Sequence, residues 1–381
     1  MRKNLLFVVD NLVMGGVTRV LLNLLHNLDY SKYSVDLLVL HYYQDVEIDI
    51  PSEVALIKGD STYKYIDKTI GDIIKNRDIP AFFGKLKLVL ALKSGRIKKL
   101  IAKSRKTMLS KIYDTEIAFN DGFTQIFVAN GNAKRKIAWL HADISVFNDS
   151  SRYIRLIGES LGRFDAFACV SQMVKDAYIK QFNIKNAHVI HNIINSDKIL
   201  QDSHQDVDFN CPKDCTKLVS VGRLCEAKNY ARFIRAHKML IDEGYNVASY
   251  IIGDGLEREN LEKEIEKNQI QDTFTLLGRK ENPFPYVKNA DIFVLSSNHE
   301  GLPTVLYEAL VLGVPCVSTR VAGAEEIIGT NYGVITDKTD LALMKGIKEL
   351  LNPDKFSTAK NNAKNYVFST GKIIKQIEKI L

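Results

Sequence analysis

Glu300 and Glu308 stand eight residues apart in the stretch NHEGLPTVLYEAL, with Gly301, Leu302, Pro303 and Thr304 directly after the first of them. Proline suits the first position of a helix, so Pro303 predicts a helix start whose free N–H groups, at Thr304 and its neighbours, face whatever lies at the end of the preceding segment. Glu300 then falls in the turn before the helix and Glu308 about one and a half turns inside it, roughly 8 Å further along the axis. Two carboxylates so placed can accept hydrogen bonds from separate hydroxyls of one extended ligand, with helix amides between them for a phosphate or sugar oxygen. Two other readings stay open. A glycosidase pair needs carboxyl groups only about 5 to 9 Å apart, and an ordinary helix start also welcomes an acid before it.

Cations occur in a comparable setting. VGRLCEAKNY places Arg223 and Lys228 on one loop and helix start after the apolar run KLVSV, and two cations so spaced can clamp a diphosphate, Arg as a planar fork and Lys as a point charge. In isolation such a pair is also ordinary surface charge. His141 directly follows IAWL, where an imidazole can bond a sugar hydroxyl or steady developing charge, although a single His is more often structural. Gly15 and Gly16 precede an amphipathic segment and would let backbone amides approach a phosphate, or simply make a tight turn; they form neither a GxGxxG fingerprint nor a Walker loop.

These residues need elements to hold them. Apolar runs alternate with helix-length segments: LLFVV, VDLLVL, EIAF, KIAWLH, FDAFACVS and AHVIHN, then KLVSVGR, VASYIIGDG, FTLLGR, DIFVLSS, VPCVST and YGVITD. Strands this apolar imply parallel sheets covered on both faces. The 381 residues exceed one hydrophobic core. The expected fold is therefore α/β with two Rossmann-like doubly wound domains facing a central cleft. Residues 1–195 form the first domain, the polar stretch 196–216 a linker, and 217–360 the second domain, with a closing helix in 361–381 returned to the first. Ligands of such sheets bind beyond the carboxyl ends of strands, where all the residues above lie.

Composition narrows the functional classes. With 46% hydrophobic and 25% charged residues the chain reads as globular, and no apolar run approaches the roughly 18 residues of a membrane span. MRKNLLFVV is interrupted by Asp10 and lacks a cleavage site, so a cytoplasmic protein is expected. The five cysteines are odd in number and mostly in apolar contexts, which fits reduced thiols; Cys211 and Cys215 lack partners at zinc-ligand spacing, and no metal is assigned. The net charge of +7 is concentrated: residues 85–111 carry ten Lys or Arg and no acid, interleaved with Leu, Ile and Val. That composition suits an anionic membrane surface as well as it suits a solvated helix face. Nucleic acid is disfavoured, since the stretch lacks aromatics and no nucleic-acid module is present.

Taken together, GG at 15–16, His141, VSQMVKDAYI, VIHNIIN, VGRLCEAKN, IIGDG, LLGRKEN, the E-x7-E pair Glu300 and Glu308, and GVPCVSTRVAGAEEII resemble, in order and spacing, the retaining glycosyltransferases of family 4, which have the GT-B fold. The resemblance runs over nearly the whole chain and is closest to bacterial enzymes of surface-polysaccharide synthesis, of capsule or O-antigen type. It implies that Arg223 and Lys228 hold a donor diphosphate, Glu308 the ribose hydroxyls and Glu300 the transferred sugar. Gly15, Gly16 and the Leu302, Pro303 and Thr304 segment would lie near phosphate and sugar, His141 near the reacting carbon, and Gly278 and Arg279 near the base. Thr18 departs from the acid found in many relatives. The implied co-substrate is a nucleotide sugar, UDP-linked, with no cofactor or metal; the acceptor is a glycan or a polyprenyl-diphosphate-linked sugar, and 85–111 is a candidate membrane-docking face on the inner surface of the cell membrane. A UDP-sugar epimerase of the same fold and a non-catalytic sugar-nucleotide binding subunit are the competing readings.

Overall fold

The computed structural model describes residues 2–13, 15–42, 48–60, 62–63, 73, 79–142, 144, 152–207, 209, 211 and 214–381. The apolar runs become strands, and the strands form two wholly parallel sheets. The first contains β1 (Lys3–Val9), β2 (Tyr33–Val39), β3 (Val54–Lys58), β4 (Thr115–Ala118), β5 (Arg135–Leu140), β6 (Ala166–Cys169) and β7 (Ala187–Val189), in the order β3-β2-β1-β4-β5-β6-β7. The second contains β8 (Thr216–Val221), β9 (Val247–Ile252), β10 (Phe274–Gly278), β11 (Ile292–Leu295), β12 (Cys316–Thr319) and β13 (Gly333–Thr336), in the order β10-β9-β8-β11-β12-β13. Central strands such as β4, β6, β9, β11 and β12 are buried along their whole length, as near-continuous apolar runs in covered parallel sheets require.

Winding reverses between β1 and β4 in one sheet and between β8 and β11 in the other. At such a reversal the loops leaving two adjacent strands diverge to opposite faces and leave a crevice beyond their carboxyl ends. The residues that follow β1 and β4, and those that follow β8 and β11, are therefore the best placed to meet a ligand.

The chain divides into two units, Met1–Ile193 with Gly371–Leu381, and Ile194–Thr370. Residues 361–370, grouped with the closing helix by sequence, belong to the second unit. The closing helix itself, Thr370–Ile380, buries Ile373, Ile377 and Ile380, and the Ile380 and Leu381 main-chain oxygens accept from Arg135 and Thr115 at the start of β5 and β4. The stretch 196–216 begins with a helix, Ser196–Asp202, because Asn195 caps it by accepting from the Lys198 amide and Ile199 is buried. One cysteine expectation is corrected: Cys211 and Cys215 are joined in a disulfide, their Cα atoms 6.8 Å apart, within bridging reach. Cys169, Cys225 and Cys316 are free thiols.

Candidate functional site

In the second unit the loops leaving β8 and β11 carry the cation and the carboxylate expected there, and they meet. Lys228 Nζ donates to Glu300 Oε1 at 2.7 Å, and Ser297 Oγ donates to the same oxygen at 2.7 Å. Both charged side chains are about four-fifths covered, at 19% and 15% exposure, so they attract one another far more than a surface pair does. Burial alone would lower the Lys228 pKa; the Glu300 carboxylate outweighs it, and the net direction is upward, keeping the ammonium charged. Below Glu300 the Thr319 hydroxyl, at the end of β12, donates to the Ser297 carbonyl at 2.7 Å. Arg223 is not drawn into this cluster: it is exposed and makes no ion pair among the described residues.

The loops after β9 and β10 close the same end of the sheet. The Gly253 amide donates to the Gly278 carbonyl at 2.9 Å, and Gly253 at φ +152 lies so close to the Gly222 carbonyl that a Cβ would sit 1.9 Å from it. Gly278 has φ +72, so its identity follows from a left-handed turn as much as from any ligand. Arg279 beside it is exposed.

The helix after Glu300 runs Thr304–Val311, with Pro303 at the N-cap rather than at the first helical position. The shift of one residue follows from Pro303 ψ, which at 88° is not helical. Leu302 is buried, so only its backbone can face a ligand, whereas Thr304 and Glu308 are half-buried on the first and second turns.

In the first unit His141 directly follows β5 and is held by a residue that the sequence reading passed over. Asp121, three residues past the end of β4, accepts from the amides of His141 and Ala142 at 2.8 and 2.9 Å through Oδ2, and from Tyr178 Oη at 2.8 Å and Gln125 Nε2 at 3.3 Å through Oδ1. The signal was available, since NDG directly follows the run EIAF at a strand end. The His141 ring lies tilted against Phe119, with 5.0 Å between ring centres, and its buried Nε2 has no hydrogen-bond partner among the described residues. Gly15 and Gly16 lie where expected, at the cap and first residue of the helix Gly16–His26; a Cβ on Gly16 would meet nothing within 4 Å, so packing does not demand glycine there. The Thr18 hydroxyl donates to the Val13 carbonyl at 2.7 Å.

Burial pushes Asp121 up to about 6, against the hydrogen bonds from Tyr178 and the two amides, and holds His141 down at about 4. These shifts oppose one another in stability. Between about pH 4 and 6 unfolding releases a proton from Asp121, so its contribution falls as pH rises, whereas unfolding lets His141 take one up, so its contribution falls as pH drops. Asp121→Asn removes the first slope and keeps the second. Its melting temperature should therefore climb more steeply than that of wild type from about pH 4.5 to about pH 6.5, followed by calorimetry. An equal or shallower climb would contradict the paired shifts.

The basic stretch 85–111 lies on the helices Ile79–Lys93 and Ile97–Met108 and the segment after them. Not all of it faces outward. Arg105 is buried and pairs with Glu116 at 2.5 Å, Lys111 pairs with Asp36 at 2.8 Å, and Leu88, Ile97, Leu100 and Ile101 point into the core. Lys87, Arg96, Lys98, Lys99, Lys103 and Lys106 are exposed, as are Ile79, Phe83 and Leu90.

Residues 203–366, within the second unit, match the family model for glycosyl transferases group 1. The chain is 34% identical to an uncharacterised glycosyltransferase of Methanocaldococcus jannaschii over 42% of its length and 40% of the relative's. It is 30% identical to the N-acetylgalactosamine-N,N'-diacetylbacillosaminyl-diphospho-undecaprenol 4-alpha-N-acetylgalactosaminyltransferase of Campylobacter jejuni over 49% and 51%. The chain thus spans about half the length, or less, of these curated relatives. Among solved structures, Anabaena Alr3699/HepE in complex with UDP superposes with a TM-score of 0.71 at 17% identity, covering 100% of this chain and 99% of that one, a likeness of fold. Residues 203–366 therefore resemble the glycosyl transferases group 1, in a chain whose two parallel sheets follow the fold seen in the HepE structure.

Proposed function

We propose that the protein is a retaining, metal-independent glycosyltransferase. It would move a hexosyl or N-acetylhexosaminyl unit from a UDP-sugar to a hydroxyl of a glycan or lipid-linked acceptor in bacterial surface-polysaccharide synthesis. The observation that carries the reading is the Lys228–Glu300 pair beyond β8 and β11, within the residues that resemble group 1. In the transfer the bond from the anomeric carbon to the diphosphate oxygen breaks, the acceptor oxygen bonds to that carbon, and the acceptor proton leaves with the nucleoside diphosphate. Lys228 and the amides at the start of Thr304–Val311 supply positive potential for the leaving phosphates, with Arg223 free to swing in from the surface. Glu300 accepts from sugar hydroxyls and Glu308 from the ribose. His141, neutral at working pH, offers its unpartnered Nε2 to the sugar.

The reading gains support from relatives. The HepE structure is a complex with UDP, and the Campylobacter enzyme's name specifies a diphospho-undecaprenol-linked acceptor. A screen of UDP-, GDP- and TDP-sugars for thermal stabilisation and slow hydrolysis tests it. UDP-sugars should stabilise and be hydrolysed; stabilisation by another nucleotide class alone would overturn the UDP assignment, and none by any class the whole reading.

No helix among the described residues is long and apolar enough to cross a membrane. A lipid-linked acceptor then requires a cytoplasmic protein to visit the membrane surface, and the outward cations of 85–111 beside Phe83 and Leu90 suit anionic headgroups. In liposome sedimentation Lys98→Glu/Lys99→Glu should lose most binding to anionic vesicles; unchanged binding would sink this docking face.

A further inference from the structure

The donor residues sit on separate loops, and a buried guanidinium holds those loops in place. Arg232, on the first turn of the helix Tyr230–Asp242, is only 6% exposed. Its Nη1 donates to the Ser296 carbonyl at 2.6 Å, and its Nη2 donates to Asn298 Oδ1 at 2.9 Å and to the Lys338 carbonyl at 2.8 Å. One side chain thus joins the loop after β11 to the loop after β13. Asn298 then reaches back to the Lys228 loop: its amide donates to the Ala227 carbonyl at 2.7 Å, its Nδ2 to the Glu226 carbonyl at 3.2 Å, and its Oδ1 accepts from Asn229 Nδ2 at 3.1 Å. Asn229 itself is left-handed at φ 42 and caps the helix that carries Arg232, while Ser296 Oγ donates to the Lys228 carbonyl at 2.9 Å. The backbone on both sides of Lys228, and the residues just before Glu300, are therefore fixed to one another through Arg232 and Asn298.

Surface charge does not explain this arrangement. Taking a guanidinium out of water is costly, and here it is matched to carbonyls and an amide rather than to a bonded carboxylate. A planar fork is the side chain that can bridge three acceptors on two loops at fixed angles.

We propose that Arg232 and Asn298 are positioning residues of the donor site: without touching ligand, they set the separation of Lys228 from Glu300 and hold both in the geometry that receives a nucleotide sugar. The proposal rests on the donor reading given above. Asn298→Ala removes the Asn298 side-chain bonds to Glu226, Asn229 and Arg232 yet leaves Arg232 its bonds to Ser296 and Lys338 and keeps the Ser296 Oγ bond to the Lys228 carbonyl, and Arg232→Lys keeps the charge but cannot fork.

Two measurements test it, using the full chain. The first is free of ligand: acetylation of Lys228 by an activated ester, followed by mass spectrometry, should be severalfold faster in both variants, because the amine is no longer held against Glu300. The second is thermal stabilisation by UDP and UDP-glucose, which should fall by about tenfold in apparent affinity, while melting without ligand in Asn298→Ala stays near that of wild type. Wild-type labelling rates together with wild-type UDP affinity in Asn298→Ala would overturn the positioning role. A wild-type protein that neither nucleotide stabilises, with Lys228 labelling still accelerated in the variants, would overturn the donor reading and leave the loop-holding role standing.

Discussion

Lys228→Ala should lower kcat/KM for the nucleotide sugar by about a thousandfold, near the upper end of what removal of one preorganised donor costs. Two effects add in the same direction. The variant loses the covered cation that meets the diphosphate, and it leaves Glu300, now bonded by Ser297 alone among the described partners, as an uncompensated carboxylate facing a polyanion. Arg223→Ala removes an exposed cation with no ion-pair partner among the described residues, so its loss should be about tenfold. Steady-state kinetics with the donor found by screening, beside UDP-dependent melting shifts, separates the two. Wild-type turnover in Lys228→Ala would remove the diphosphate clamp from the mechanism.

Glu300→Gln should show a different division. The amide keeps the size of the carboxylate and can still accept from Lys228 and Ser297, but the negative charge is gone. UDP binding should be retained or slightly tightened, because like charge beside the phosphates has been removed, whereas kcat falls by about a hundredfold, since the sugar loses a charged acceptor that strengthens with its hydroxyls in the transition state. The check is the split itself: stabilisation by UDP against turnover of the UDP-sugar. Loss of UDP binding with preserved turnover would place the carboxylate on the nucleotide.

Much of this was legible in the sequence, and the gaps have physical causes. All the apolar runs became strands because parallel sheets bury both faces; β3 was missed because VALIK is a short, half-exposed edge paired on one side only. Glu300 and Lys228 were singled out separately, each by its place after a strand. Their contact was not legible, for it joins residues 72 apart through the adjacency of β8 and β11, which no local pattern encodes. Asp121 was within reach of the same strand-end rule. Arg232 was not: an arginine on the first turn of an amphipathic helix reads as solvated, and only the fold shows that the loops after β11 and β13 cover it.

The closing helix has a consequence for how the protein is made. The second unit is one uninterrupted segment, Ile194–Thr370, whereas the first needs Gly371–Leu381 to cover the starts of β4 and β5. During synthesis, which runs from the amino end, the first unit is begun first and completed last. Until the ribosome has passed residue 381 the nascent first unit lacks the helix that carries Ile373, Ile377 and Ile380, so the starts of β4 and β5 are left without it while the whole of the second unit has already been made. Vectorial folding here runs back to front.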